Sequence, residues 1–209
     1  MKSWKVFWIF LSVFLLGCKM TPDIPEYLET RFDIPIELSE FNSVAGHYFE
    51  KPAFVSLITY PKNEFPETLV IKADGYGSSY NQFTGVTKNQ LFVSFRKDEA
   101  QFTIDAIDKY LKWQEQALKA GDMFTKEIAT SPAFDTGYGT SNYNKFKFYS
   151  GNKINHYLIF SFCSMSSLVG ELCTDTAAMT KENAIKLREI AKKYKSGELK
   201  KEDVAAKYK

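Results

Sequence analysis

Apolar residues recur along this chain at two distinct periods. Leu91, Val93 and Phe95 alternate with their neighbours, and Leu158, Phe160 and Phe162 do the same. A period of two is that of a strand with one buried face. Phe146 and Phe148 alternate ahead of the turn-rich Ser150-Gly151-Asn152-Lys153, which predicts a hairpin over 144–163. Ala53 to Tyr60 is rich in β-formers and is closed by Pro61, and Thr68 to Lys72 is a further strand. The helical period appears twice. Ile104, Ile107, Leu111 and Leu118 share one face. Asp98 with Gln101 reads as a capping-box variant before them, and Gly121 as their stop. A second helix begins at Thr180, carries Glu182 near its positive end and buries Ala184, Leu187, Ala191 and Tyr194 before Ser196-Gly197. A short helix over about 200–208 follows. No Ser/Gly linker divides the chain, so 31–209 is expected to be a single domain of the α+β class, an antiparallel sheet with two packed helices.

Two segments resemble each other. Gly75-Tyr76-Gly77-Ser78-Ser79-Tyr80-Asn81-Gln82-Phe83 matches Gly137-Tyr138-Gly139-Thr140-Ser141-Tyr143-Asn144-Lys145-Phe146 at seven of nine positions once Asn142 is set aside as an insertion. The apolar stretches 90–95 and 157–162 then match in pattern, and Ala106-Ile107 corresponds to Ala184-Ile185. This predicts a duplicated strand–turn–strand–helix unit, about 68–121 and 132–197, related by a pseudo-two-fold axis. Chance likeness between two Gly/Tyr/Asn-rich loops is the alternative.

The N-terminus has a different pattern. Met1-Lys2-Ser3-Trp4-Lys5 is basic, Val6 to Leu16 is apolar and Gly17 is small. That is the layout of an export signal, with an apolar core well short of the ~20 residues that span a bilayer. Leu15-Leu16-Gly17-Cys18 resembles the lipobox of bacterial lipoproteins. The resemblance covers residues 1–18 only. It implies diacylglyceryl transfer to the Cys18 thiol, cleavage before Cys18 and acylation of the new amine. The chain would then be held to a membrane through Cys18, with residues 18–30 as lipidated end and tether. Lys19 in place of Asp points to the outer membrane, facing the periplasm, in a Gram-negative cell. An ordinary secretory signal with a chance cysteine is the alternative.

The 209 residues are 44% apolar and 25% charged, which excludes a disordered chain. The formal +2 belongs to the leader: 27 basic side chains less Lys2 and Lys5 leave 25 against 25 acidic ones. A neutral domain argues against nucleic acid, which is bound by neutralising phosphates. Residues 180–209 are nonetheless basic, and a solvated helix surface accounts for this more simply than a contact with anionic lipid or glycan. With Cys18 assigned to lipid, Cys163 and Cys173 remain. In an exported protein they are expected to form a disulfide, worth ~3 kcal/mol for so short a loop, and two buried thiols are the alternative.

Catalytic and metal motifs are weak. His47 and His156 are isolated, with no metal-ligand spacing, and no metal or cofactor is expected. The Gly-Tyr-Gly loops lack a phosphate-loop context. Asp74 and Asp135 sit before the two loops, where a turn-forming Asp is the commoner reason. The loops do offer Tyr76, Tyr80 and Asn81 on one side and Tyr138, Tyr143 and Asn144 on the other. Tyr, Ser, Gly and Asn together are the chemistry of binding loops. The sequence therefore points to a lipid-anchored, non-catalytic binding or interaction module of the envelope. These paired loops are its candidate surface for an envelope protein, peptide or glycan. A structural or toxin-immunity subunit is the second reading. A hydrolase built from dispersed Asp74, Asp135 and His156 is the third.

Overall fold

The computed structural model describes residues 26–62, 65–81, 85–137 and 139–199, with the side chains of 77–88 excepted. The leader, Cys18, Tyr138 and the expected helix over 200–208 lie outside the described residues. The chain runs through β1 (Leu28–Asn42), β2 (His47–Thr59), β3 (Thr68–Asn81), β4 (Gly85–Arg96) and α1 (Ala100–Ala120). It continues through β5 (Thr125–Thr130), β6 (Phe134–Asp135), β7 (Thr140–Ser150), β8 (His156–Ser166), β9 (Gly170–Met179) and α2 (Lys181–Ser196). Residues 28–30, read from sequence as tether, belong to β1.

All strands join one antiparallel sheet in the order β4-β3-β2-β1-β9-β8-β7-β5, with β6 also on β7. Strands take 53% of the structure and helices 23%. The α+β expectation is thus corrected to a sheet-dominated fold. The two helices announce themselves by clear periodicity, whereas several strands do not, so the sequence understates the sheet.

One face of the sheet carries the core. Leu38 of β1, Val55 of β2, Leu69 and Ile71 of β3 and Val93 and Phe95 of β4 are buried with Phe146, Phe148, Leu158 and Phe160 of β7 and β8. The helices lie on that face. Phe102 meets Phe146 at 5.7 Å, Tyr110 meets Phe148 at 5.8 Å and Tyr194 meets Phe95 at 6.0 Å between ring centroids. Arg188 on Asp108 (2.8 Å) and Lys195 on Gln101 (2.6 Å) tie α2 to α1. The expected stripe Ala184, Leu187, Ala191 and Tyr194 is buried, as are Ile104 and Ile107, while Leu118 is exposed. Both helices stop at a left-handed glycine, Gly121 and Gly197, where a side chain would clash with its own backbone.

The starts of the helices differ from the sequence reading. Asp98 does not cap α1; it pairs with Arg96, and Glu99 is the first flanking residue. Glu99 instead receives the Arg96 N–H on one oxygen and the Ser131 hydroxyl on the other. Thr180 does precede α2 in extended conformation, but its hydroxyl donates to Glu50. At α1 a neighbouring arginine, and at α2 a tertiary carboxylate, outcompetes the helix end.

The duplication is also corrected. Gly75-Tyr76-Gly77 lies in the outgoing half of β3, whereas Gly137 and Gly139 precede β7. After the shared motif the first copy passes one further strand before its helix, and the second passes two. The symmetry present in the fold is a different one. β1–β4 followed by α1, and β5/β6–β9 followed by α2, are each an antiparallel meander closed by a helix. They lie side by side in the same direction along the sheet, so the halves are shifted rather than reversed. The aligned loops are one strand out of phase with it, because Gly, Tyr and Asn recur wherever a strand nears a turn.

Candidate binding cleft at the seam of the sheet

The two meanders are joined weakly. β1 and β9 share one bridge pair, Ser39↔Ala178. Neighbouring pairs are interrupted by irregularities in both strands. β1 shifts register between Phe32 and Ile36, around Pro35, which has no N–H to give to a ladder. The β8–β9 ladder shifts between Phe160 and Ser161, leaving Thr176 as the extra residue of a bulge.

Strand alternation decides what lines this seam. Phe146 and Phe148 face the helices, so Lys147 and Tyr149 face the other way. Leu158 and Phe160 turn inward, which puts Tyr157, Ile159 and Ser161 outward. From the first meander come Ser39, Phe41 and Tyr48. A cavity of about 430 Å³ opens here, between Ser39, Tyr48, Lys147, Tyr149, Ile159 and Asp175. That is within the size range of small-ligand sites.

One wall is aromatic. The Tyr48 ring lies 4.3 Å from Tyr157, 5.8 Å from Tyr149 and 5.2 Å from Phe41. Burial, then the Tyr149 and Asp175 charges, push the Tyr48 phenol up to about 12, and burial raises Tyr157 as well. Both phenols therefore stay protonated and keep a hydroxyl to donate. The floor is polar. Asp175 receives Lys147 at 2.5 Å and the buried Ser161 hydroxyl at 2.5 Å. Ser39 is 1% exposed, and its hydroxyl has no hydrogen-bond partner among the described residues. A buried hydroxyl left unpaired costs about 1–3 kcal/mol, so one beside a cavity marks a place where a ligand atom or water is wanted.

The residues singled out from sequence fall into two separate settings. Tyr76 is exposed, donates its backbone N–H to Glu40 at 2.5 Å and carries Lys51 3.2 Å above its ring. Glu40 also lines the cleft, so Tyr76 stands at its border. Gly75 is needed there: a Cβ would sit 2.8 Å from the Asn89 carbonyl oxygen. Tyr80 and Asn81 lie in β3, with side chains outside the described set. Tyr143 is buried and its hydroxyl donates to Glu171, which also pairs with Lys145 at 2.8 Å. Asn144 donates its side-chain amide to the Ser94 carbonyl at 2.9 Å, tying β7 to β4; its carbonyl accepts the Ser131 N–H and its own N–H donates to the Ser131 hydroxyl. Among the described residues, the partners of Tyr76 (Glu40, Lys51 and Asn89) differ from those of Tyr143 and Asn144 (Glu171, Ser94 and Ser131). Tyr143 and Asn144 act as struts, tying β7 to β9 and to β4.

The dispersed hydrolase set is not assembled either. Asp135 accepts the Gly137 N–H at 2.9 Å, closing a turn. His47 contacts the Ala45 carbonyl in the β1–β2 turn. His156 is buried against Phe148 and bonded to Ser150 at 2.9 Å, and burial lowers its pKa below the usual imidazole value. Cys163 and Cys173 form a disulfide between directly opposed residues of β8 and β9. With Glu171 they are the one cluster of metal-ligand types among the described residues, and the disulfide occupies both sulfurs.

The sequence reading missed Ser39, Tyr48, Lys147, Tyr149, Tyr157 and Asp175. The outward side of the β7–β8 hairpin was readable from its alternation. The approach of β1 to β9 was not, since they lie more than a hundred residues apart. No protein-family model, no curated protein and no solved structure matches this chain.

Proposed function

We propose that this chain is a lipid-anchored, non-catalytic binding protein of the bacterial envelope, held through acylated Cys18 in the outer membrane and facing the periplasm. The cleft at the β1–β9 seam, bordered by Tyr76, is its binding site. The observation that carries the site is the unpaired, buried Ser39 hydroxyl beside a wall of tyrosines. The Cys163–Cys173 disulfide supports an oxidising compartment. Lys147 and Asp175 neutralise each other, so the cleft selects for hydrogen-bonding groups and flat apolar faces rather than for net charge. A short neutral glycan has both.

The test is calorimetric titration of neutral oligosaccharides, with uncharged dipeptides as the comparison. Ser39→Ala is the informative variant. It removes an unsatisfied group, so it leaves thermal stability unchanged or raises it. It should weaken binding about tenfold, the equivalent of ~1.4 kcal/mol. Tyr149→Ala should weaken it at least as much. Saccharide binding that neither variant alters would remove the cleft from consideration. Binding of dipeptides alone would overturn the glycan reading.

A further inference from the structure

The cleft lies inside the sheet. Away from it, the β8–β9 hairpin gathers four exposed apolar side chains at one place. The turn between β8 and β9 presents Leu168 at 93% exposure and Val169 at 67%, and the adjoining strand ends add Leu172 at 62% and Met165. No charged residue lies between Ser164 and Gly170. A few scattered exposed apolar residues are ordinary, but four on one protruding hairpin form a patch that calls for an apolar environment. At its base the Cys163–Cys173 disulfide clamps the two strands, and Tyr143 and Lys145 hold Glu171. The hairpin is thus stiff where it leaves the domain and wholly uncharged at its end.

Its position relative to the start of the domain says what covers it. Tyr27, the second described residue, packs on Tyr60 at 6.5 Å. Tyr60 lines a small cavity together with Asn142, Tyr143 and Phe162. Asn142 is the strand partner of Ser164, next to Met165. The chain therefore enters the domain at the end from which the apolar hairpin projects. Exposed Tyr27 and Leu28 extend the apolar surface there. From Cys18 to Tyr27 the chain reaches at most about 30 Å when fully extended. The hairpin rises only about 14 Å from Ser164 to Leu168.

We infer that the β8–β9 hairpin is a membrane-inserting finger that seats the end of the domain bearing Tyr27 on the lipid surface. This rests on the lipid-anchored reading above, which places a bilayer at that end. Uncharged Ser, Leu, Val and Gly at the tip enter the headgroup–acyl boundary without stranding a charge. The cleft, built at the β1–β9 seam, remains open to solvent.

The test uses the full chain produced in a bacterial host, in vesicles of phosphatidylethanolamine and phosphatidylglycerol. Leu168→Cys carries an environment-sensitive fluorophore, attached without reductant so that the disulfide stays closed. Val44→Cys, at a 97% exposed site in the β1–β2 turn, is the reference. The expected result is a blue-shifted label at 168 that spin-labelled lipid quenches several-fold, while the label at 44 is unaffected. A label at 168 that remains in water, on a chain that floats with vesicles and carries acyl mass on Cys18, overturns the finger and leaves the anchor standing. That outcome would direct the search to a protein partner for the tip. Quenching at 168 on a chain whose Cys18 is unmodified supports the finger and removes the anchor. A chain that does not associate with vesicles overturns both.

Discussion

Opening the disulfide tests the architecture in one step. Cys163 and Cys173 are ten residues apart and directly opposed in the β8–β9 ladder. In the folded state the bond clamps strands that backbone pairs on either side also hold. Its larger effect falls on the unfolded chain, which loses loop freedom. For a loop of this length the chain-entropy account gives about 3 kcal/mol at 25 °C. In a domain of this size each kcal/mol moves the melting temperature by about 2–4 °C, so reduction should lower it by about 6–12 °C. The assay is scanning calorimetry with and without a phosphine reductant, repeated on Cys163→Ala/Cys173→Ala. The double variant also loses the packing of the fully buried Cys163, so it should melt no higher than the reduced protein. Hydrogen exchange should rise first at 164–172, where the finger leaves the sheet. A shift below about 2 °C would refute the reasoning. It would mean either that the native thiols are free or that the unfolded chain keeps this hairpin. Mass mapping without reductant separates the two.

Three further outcomes follow from particular contacts. Cys18→Ser should release the chain from the membrane fraction and abolish acyl labelling; unchanged fractionation would end the anchor reading. Tyr110→Phe removes the hydroxyl that donates to the buried His156 carbonyl at 2.9 Å, and denaturant melts should show a loss of about 1–3 kcal/mol. Glu29 receives Lys72, Ser56 and Arg31, which lower its carboxyl from 4.5 to about 2. Its contribution is complete above pH 4.5 and is lost as pH falls towards 2, so Glu29→Gln should flatten the acid limb of stability in that window, read by melts from pH 2 to 5.

How far the fold was legible varies by element, for physical reasons. The helices were plain because a stripe such as Ala184, Leu187, Ala191 and Tyr194 has no other use than burial. β7 and β8 were plain because the Phe stripe alternates. β1 was also within reach: Phe32, Ile34, Ile36 and Leu38 alternate with Arg31, Asp33, Pro35 and Glu37. Proline in a strand interior argues against a strand, and here it marks the register shift instead. β9 was harder. Gly170 to Asp175 are exposed and only the last four residues are buried, so half of the strand has no core to pattern it. The capping residues and the duplication were misread for a shared reason. Thr180, Glu99 and Tyr76 each bond a residue more than twenty positions away, Glu50, Ser131 and Glu40, and local sequence does not name those partners.

The same division explains where the candidate site lies. The face of the sheet under α1 and α2 is consumed by packing, and a change there is a change in stability. Among the described residues no helix covers the opposite face, so Tyr48, Lys147, Tyr149 and Asp175 are free of that constraint and can be used for recognition. A flat open face would make a poor site, since it holds a ligand from one side only. The single bridge Ser39↔Ala178 alters this. Because the meanders are joined at one pair, they fold about the seam until Tyr48 of the first reaches Tyr149 and Tyr157 of the second. Replacing the bulge at Thr176 by a continuous ladder would lengthen the join and flatten the seam. Deleting Thr176 should therefore separate these rings, expose the Ser39 hydroxyl to water and abolish binding while leaving the helix-covered core intact. A structure of that variant with the cavity unchanged would show that the bulge does not shape the cleft.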